Sequence, residues 1–268
     1  MNAKTLERRF SIERIVLLLR NRIYEETPAV GIVAAIVFVS NILSLWVSHQ
    51  AFFNAPRRHG AAWIATIAVG GLFIAGNSFK DMHDGKAGTE WLLLPATPLE
   101  KYAAAFLDSV VVFPVAGALL CLSLSAFLEF ISRVLGGVSG TVWMPLDSGT
   151  IRAWAAYAIA AAVFLAGSAS FRKIPILKTI GVASVFFLVV AGLVMVGARV
   201  LFGGGNGAAM NMDFFNGEFT FDVSKVSQRA QDVVRLLFDV ARYAILPAFA
   251  ILFGASKVIE KEGLDEVQ

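Results

Sequence analysis

Charged side chains are scarce in this sequence. Only 16% of its 268 residues are Asp, Glu, Lys or Arg, whereas 57% are hydrophobic and the mean hydropathy is +0.70. An ordinary soluble domain carries about 25% charged residues. The hydrophobic runs recur from one end of the chain to the other. We therefore expect one continuous membrane-spanning unit over 1–268, without a separate soluble domain.

Residues that carry catalytic chemistry are equally few. The lone cysteine, Cys121, excludes an internal disulfide. The three histidines, His49, His59 and His83, lack the His-Glu-x-x-His spacing of a catalytic zinc site. The sequence also lacks a phosphate-binding G-x-x-x-x-G-K-[ST] loop and a G-x-S-x-G nucleophile elbow. We predict that the chain is not an enzyme, with no catalytic residues, no metal site and no cofactor of its own.

Six hydrophobic segments reach, or nearly reach, the length of about 20 residues that a helix needs to cross a bilayer. The predicted spans are about 28–47, 61–77, 102–128, 153–170, 179–198 and 240–256. An amphipathic helix at about 5–26 precedes them, with apolar residues at helical spacing and arginines between them. It either lies in the membrane interface or extends the first span into the cytoplasm. The predicted fold is an all-α integral membrane protein, a six-helix transmembrane bundle with an N-terminal amphipathic interfacial helix.

Loop charges predict the orientation of these spans. With both termini in the cytoplasm, fourteen of the 23 Lys and Arg residues lie on the cytoplasmic side and nine lie outside. Arg57 and Arg58 are on the outer side in this topology, but the dense basic cluster before the first span outweighs them. We expect a multi-pass protein of the bacterial cytoplasmic (inner) membrane with cytoplasmic N- and C-termini. The net charge of +3 is spread along the chain, so no nucleic-acid partner is expected.

Small residues predict close contact between the spans. Ala158, Ala162, Ala166 and Ser170 recur every four residues in the fourth span, where another helix backbone could approach closely. Alanine and glycine are also common in membrane helices in general, so the pattern alone leaves both interpretations open.

Asp108 is the clearest acidic residue within a predicted span. An ionisable residue inside a membrane is costly and is often functional, which makes Asp108 a possible pathway residue. It could also lie near the head groups at little cost. Glu129 and Arg133, four residues apart at the other end of the same span, predict an ion pair.

The segment 203–239 is predicted to be an extracytoplasmic loop. It begins with a Gly-rich run and turns amphipathic from Val223 onward. Between these parts, Phe214, Phe215, Phe219 and Phe221 could anchor it at the outer interface.

The segment 78–101, which we term the connector, is predicted to be cytoplasmic. Asp84 to Gly88 are typical turn residues, and Thr89 is a predicted N-cap of a short helix that ends before Pro95. Thr97 is a predicted N-cap of the next helix, which Pro98 opens. A short helix of this kind either packs on its own bundle or presents a surface to a soluble partner, and the sequence favours neither.

The layout resembles the type 2 class of ABC transporter permeases. The resemblance comes from an amphipathic N-terminal helix, two spans, the block "GTEWLLLPATPLEKYAAA" and four further spans; the longer run "FKDMHDGKAGTEWLLLPATPLEKY" is similar to small permease-like membrane proteins. The resemblance to this class implies six helices and a homodimer or heterodimer of permeases. It also implies a separate ATP-binding cassette subunit that contacts the connector and the N-terminal (elbow) helix. Lys86-Ala87 stand where the commoner pattern has an acidic pair before Gly-Thr.

The resemblance also implies which residues couple the permease to its partner. The coupling segment corresponds to Asp84–Leu94, and the elbow helix to Phe10–Ile23. The implied partner-coupling residues are Asp84, Gly85, Lys86, Gly88, Thr89, Glu90, Trp91, Pro95, Glu100 and Lys101.

Two functions are compatible with the sequence. The first is a membrane-spanning permease subunit of an ATP-driven ABC transporter, which exports or flips a substrate while a separate subunit hydrolyses ATP. The alternative is a non-transporting membrane scaffold or sensor subunit that recruits a cytoplasmic protein through the same connector.

Overall fold

A computed structural model describes residues 11–25, 31, 39, 56–136, 142–202, 209–213, 218–222, 236 and 239–265. Eight helices of more than one turn lie within these ranges. They are α1 (12–25), α2 (Pro56–Asn77), α3 (Gly85–Leu93), α4 (Pro98–Leu107), α5 (Phe113–Gly136), α6 (Ser148–Ser170), α7 (Pro175–Phe202) and α8 (Leu246–Asp265). A short 3₁₀-helix (Asp81–His83) and two π-helical turns (Asp108–Val112 and Ala241–Ile245) join some of them.

Three helices are long and apolar enough to cross a membrane, judged by length and composition. They are Pro98–Ile131, Gly149–Ser170 and Tyr243–Gly263, and they coincide with the third, fourth and sixth predicted spans. These helices are compatible with a membrane protein. The second and fifth predicted spans lie within α2 and α7, and Pro175–Phe186 of α7 is a shorter apolar helix. The first predicted span, 28–47, lies outside the described residues except for Gly31 and Val39.

Glycine and alanine bring the helices close together around α6. A Cβ atom on Gly167 of α6 would overlap the hydroxyl of Thr179 in α7, and one on Gly71 of α2 would overlap the hydroxyl of Tyr157 in α6. On another side of α6, Ala162 and Ala166 pack against Ala250 of α8. The predicted small-residue stripe of the fourth span therefore does receive a neighbouring helix.

The third predicted span begins in α4 and continues through the π-helical turn into α5. Pro114 explains the wider turn, because proline has no N–H and its ring clashes with the carbonyl one turn earlier. The amide of Phe113 bonds to the carbonyl of Asp108, which leaves the carbonyl of Ser109 without its helical donor. The hydroxyl of Tyr157 donates to that carbonyl instead, at 2.5 Å. The hydrogen bond from Tyr157 therefore replaces the missing helical one and joins α6 to the π-helical turn.

The segment between the fifth and sixth predicted spans contains a two-stranded antiparallel hairpin. Strand β1 (Ala209–Asp213) pairs with β2 (Glu218–Asp222), with Ala209 opposite Asp222 and Asp213 opposite Glu218. The sequence pattern predicts a loop over 203–239 and does not predict the hairpin. The amphipathic helix predicted from Val223 falls mostly outside the described residues.

Helix α1 confirms a helical N-terminal segment over 12–25, while 5–10 and 26 lie outside the described residues. Two of its arginines make contacts within the chain: Arg14 binds Glu100, and Arg22 donates to the carbonyl of Ser78 at 2.8 Å. Its exposed surface is mixed: Ile12, Val16, Leu17 and Tyr24 are all more than half exposed, and Glu13, Arg20, Asn21 and Glu25 are exposed beside them.

Candidate functional site

The candidate site is the connector, which forms one end of the described helices together with α1 and the C-terminal ends of α6 and α8. Its short helix, α3, begins earlier than predicted. Gly85 opens the helix after the extended residue Asp84, so Gly85 to Gly88 are helical and not a turn. Thr89 lies inside the helix, where its hydroxyl donates to the carbonyl of Gly85 at 3.2 Å and caps nothing. The helix ends at Leu93, in agreement with the predicted stop before Pro95.

One face of the connector is buried in the core of its own chain. Phe79, Met82 and Trp91 belong to a single hydrophobic cluster with Tyr102 of α4 and Val258 of α8. The rings of Phe79 and Tyr102 stack in parallel, with their centroids 5.7 Å apart. Burial of side chains of this size, at about 1.5–3 kcal/mol each, holds α3 against the bundle.

Lys101 fixes α3 to the last helix. Its side chain is almost fully buried, and its ammonium group donates to the backbone carbonyl of Trp91 at 2.9 Å and to the carboxylate of Glu262 in α8 at 2.7 Å. The same ammonium group lies 4.2 Å from the centre of the Trp91 ring. A buried ammonium needs such partners because desolvation without them is very costly. Lys101 therefore joins α3, α4 and α8 at one point.

Glu100 joins α4 to the N-terminal helix. Its carboxylate is fully buried and completes a capping box, in which the amide of Thr97 donates to Oε2 and the Glu100 amide donates to the Thr97 hydroxyl. The Thr97 N-cap and the Pro98 start are thus confirmed. Oε1 accepts from the amide of Ser11 at 2.6 Å and from the guanidinium of Arg14 at 2.8 Å. One carboxylate therefore caps α4 and docks the first turn of α1.

The C-terminal end of α6 holds the start of the connector. The amide of Phe79 donates to the Ser168 hydroxyl at 2.9 Å, and Nε2 of His83 lies 3.1 Å from the Ser168 carbonyl. Burial lowers the pKa of His83, the nearby charges of Lys261 and Arg172 lower it further, and the backbone contact with Ser168 acts in the opposite direction. The neutral imidazole is therefore favoured, and it donates its N–H to the carbonyl.

The opposite face of the connector is exposed. Asp84, Gly85, Thr89 and Glu90 are exposed, and Leu93 at the end of α3 has 76% of its surface accessible. The exposed apolar surface continues over the neighbouring residues, which are Leu92, Leu94, Pro95 and Leu99. This surface is both acidic and apolar, and it lies on a helix whose other face is packed on the chain, so it can receive another molecule.

The predicted partner-coupling residues thus fall into two groups. Five are exposed, namely Asp84, Gly85, Thr89, Glu90 and Pro95, whereas Lys86 is a helical residue of α3 whose side chain lies outside the described part. Four are buried, namely Gly88, Trp91, Glu100 and Lys101, and they contact groups of this chain. The structure brings all ten to one end of the helices.

Sequence reasoning missed the residues that hold the connector from behind. Ser11, Arg14, Ser168 and Glu262 contact it across 86 to 161 positions of sequence. No local pattern marks them. One sequence feature did indicate that such contacts exist: Glu100 and Lys101 are two charges close to the predicted N-cap Thr97 in a very apolar chain. A charge that becomes buried there requires a partner.

Asp108, the predicted pathway residue, is buried at the first position of the π-helical turn. The predicted pair of Glu129 and Arg133 is confirmed, with 2.8 Å between Oε1 and Nε. Within the part of the chain that the structure describes, no three His, Cys, Asp or Glu side chains gather closely enough to hold a metal ion.

Comparisons with protein-family models, with curated proteins and with solved structures gave no match to this chain.

Proposed function

We propose that the chain is the membrane-spanning permease subunit of an ATP-driven ABC transporter, and that it exports or flips a substrate with ATP hydrolysed by a separate subunit. In this proposal six helices span the bacterial inner membrane, both termini are cytoplasmic, and two permeases associate as a homodimer or heterodimer. The connector then faces the cytoplasm and receives the ATP-binding cassette subunit.

The observation that carries the proposal is the two-sided character of α3. Its outer face exposes Glu90 and Leu93, whereas Trp91 on its inner face is held by Lys101, which also binds Glu262. A force applied to the outer face would reach α4 and α8 without passing through a flexible joint. This is the property that a coupling helix needs, because ATP-driven movement of the partner must change the relative stability of two states of the spans.

Helix α1 supports the same arrangement. Its exposed apolar residues suit the boundary between head groups and acyl chains, while Arg14 and Arg22 attach it to the connector region. An interfacial elbow helix docked on α4 keeps the connector at a fixed depth below the membrane.

The proposal is tested by placing a charge on the exposed end of α3. Leu93→Asp should leave folding unchanged, because the side chain is already exposed, but should abolish association with the ATPase subunit. The matched control is Leu146→Asp, since Leu146 is 82% exposed in the segment before α6, outside the connector. Each tagged variant would be purified from its native membranes in mild detergent, and the ATP hydrolysis that accompanies it would be measured.

We expect ATPase activity to accompany the unmodified chain and Leu146→Asp, and to fall at least tenfold with Leu93→Asp. Equal activity with both variants would contradict a coupling role for α3. A copurified protein that binds at α3 but hydrolyses no ATP would instead support the scaffold or sensor function.

A further inference from the structure

The turn between α6 and α7 concentrates positive charge in a region of the chain that has no acidic residues. Arg172, Lys173 and Lys178 lie within seven positions, and no Asp or Glu occurs between Asp147 and Asp213. All three side chains are exposed. We term the segment Phe171–Lys178 the cationic turn.

The geometry of the turn gathers these charges. Ile174 adopts a positive φ of 51°, an uncommon conformation for a β-branched residue, and reverses the chain between the two helices. Lys178, one turn into α7, directs its ammonium group back to within 5.9 Å of the centre of the Phe171 ring. The Lys178 ammonium group therefore lies near Phe171, the residue directly before Arg172.

The charges of the cationic turn have no carboxylate partners among the described residues. Elsewhere in the described chain Arg14, Lys101, Arg133 and Lys257 each pair with a glutamate. Unlike these four cations, those of the turn remain available to an external anion.

The surroundings of the turn favour a lipid over a soluble anion. Ile174 and Leu177 are 66% and 64% exposed, so apolar side chains alternate with the cations on the same surface. The turn also connects a candidate membrane span, Gly149–Ser170, to the apolar helix Pro175–Phe186. In the proposed membrane arrangement it therefore lies where hydrocarbon meets head groups. Basic side chains at this depth attract anionic head groups.

We propose that the cationic turn binds the phosphate of an anionic phospholipid, with Arg172 and Lys173 holding the head group and Ile174 and Leu177 contacting the acyl chains. Arginine suits phosphate because its guanidinium group can donate two parallel hydrogen bonds. This binding does not depend on ATP-driven transport, so it can be correct or wrong independently of the permease function.

The test measures binding of phosphatidylglycerol to the purified full chain. The chain in a neutral detergent would be titrated with phosphatidylglycerol, or with phosphatidylcholine of the same acyl chains, and the bound lipid counted by native mass spectrometry. We expect Arg172→Gln/Lys173→Gln to weaken phosphatidylglycerol binding by about fivefold for each charge removed. Arg172→Lys/Lys173→Arg should largely retain binding.

The matched control removes two other exposed cations at the same end of the helices, Arg20 and Lys80. Arg20→Gln/Lys80→Gln should bind phosphatidylglycerol within about twofold of the unmodified chain. The proposal is overturned if this control loses as much binding as the turn variant, which would indicate diffuse charge attraction, or if the turn variant keeps its binding. Equally tight binding of soluble glycerol phosphate would also overturn it, because the acyl chains would then contribute nothing.

Discussion

At the scale of single residues, Glu100 shows how a very apolar chain uses a charge. Its carboxylate is inaccessible to solvent, yet each oxygen has a donor: the amide of Thr97 for one, and the amide of Ser11 with the Arg14 guanidinium for the other. These hydrogen bonds replace the lost water. The sequence predicted the Thr97 cap because capping is local, but it could not predict Ser11 and Arg14, which are 89 and 86 positions away.

This arrangement predicts that Glu100 controls the docking of α1. Glu100→Gln keeps the size of the side chain but removes its charge, so its hydrogen bonds weaken by about 1.5–3 kcal/mol in total. The fraction of molecules with α1 undocked should then rise by about ten- to a hundredfold. The measurement is the rate of trypsin cleavage after Arg20, which lies on α1.

The control for this experiment is Glu260→Gln. Glu260 belongs to an ion pair with Lys257, but both side chains are substantially exposed, so the pair contributes about 0–1 kcal/mol. Its cleavage rate should match that of the unmodified chain. If Glu100→Gln and Glu260→Gln are cleaved at the same rate, Glu100 does not dock α1.

At the scale of helices, close contacts at glycine residues decide how α6 meets its neighbours. Glycine at position 167 admits the side chain of Thr179, and Gly254 of α8 admits the ring of Tyr102 while approaching Ala166. The sequence predicted the small-residue stripe on α6 because it repeats every four residues. It did not predict the start of α3 at Gly85, since Asp-Gly-Lys-Ala-Gly is typical of a turn and the burial of Met82, Gly88 and Trp91 outweighs that local preference.

The close approach of α6 and α7 predicts a position-specific effect of added methyl groups. Gly167→Ala should destabilise the protein by about 1–3 kcal/mol, because its Cβ would overlap Thr179 and the helices would have to separate. Gly181→Ala, in α7, has no atom within 4 Å of its new Cβ and should be neutral or stabilising by up to about 1 kcal/mol. Thermal unfolding in detergent measures both, and equal melting temperatures would refute the contact.

At the scale of the whole molecule, polar contacts join the described helices at one end, and apolar packing joins most of the rest. Lys101, Glu100 and Ser168 link α1, the connector, α4, α6 and α8 at that end. The sequence located this end because turn residues, prolines and charges interrupt the apolar runs there. Trp91 and Lys101 are buried, whereas Glu90 and Leu93 are exposed. This difference depends on contacts between residues far apart in the sequence, which local patterns could not predict.

The most direct test of the account is site-specific crosslinking at position 90 in native membranes. Glu90→Cys would be made in a chain whose single cysteine is replaced (Cys121→Ser), with Leu146→Cys as the control, and a short cysteine-reactive photocrosslinker attached to each. If α3 is the coupling helix, position 90 captures a polypeptide that binds and hydrolyses ATP, and position 146 does not. Capture of no ATP-hydrolysing protein at position 90, or the same products at both positions, would contradict it.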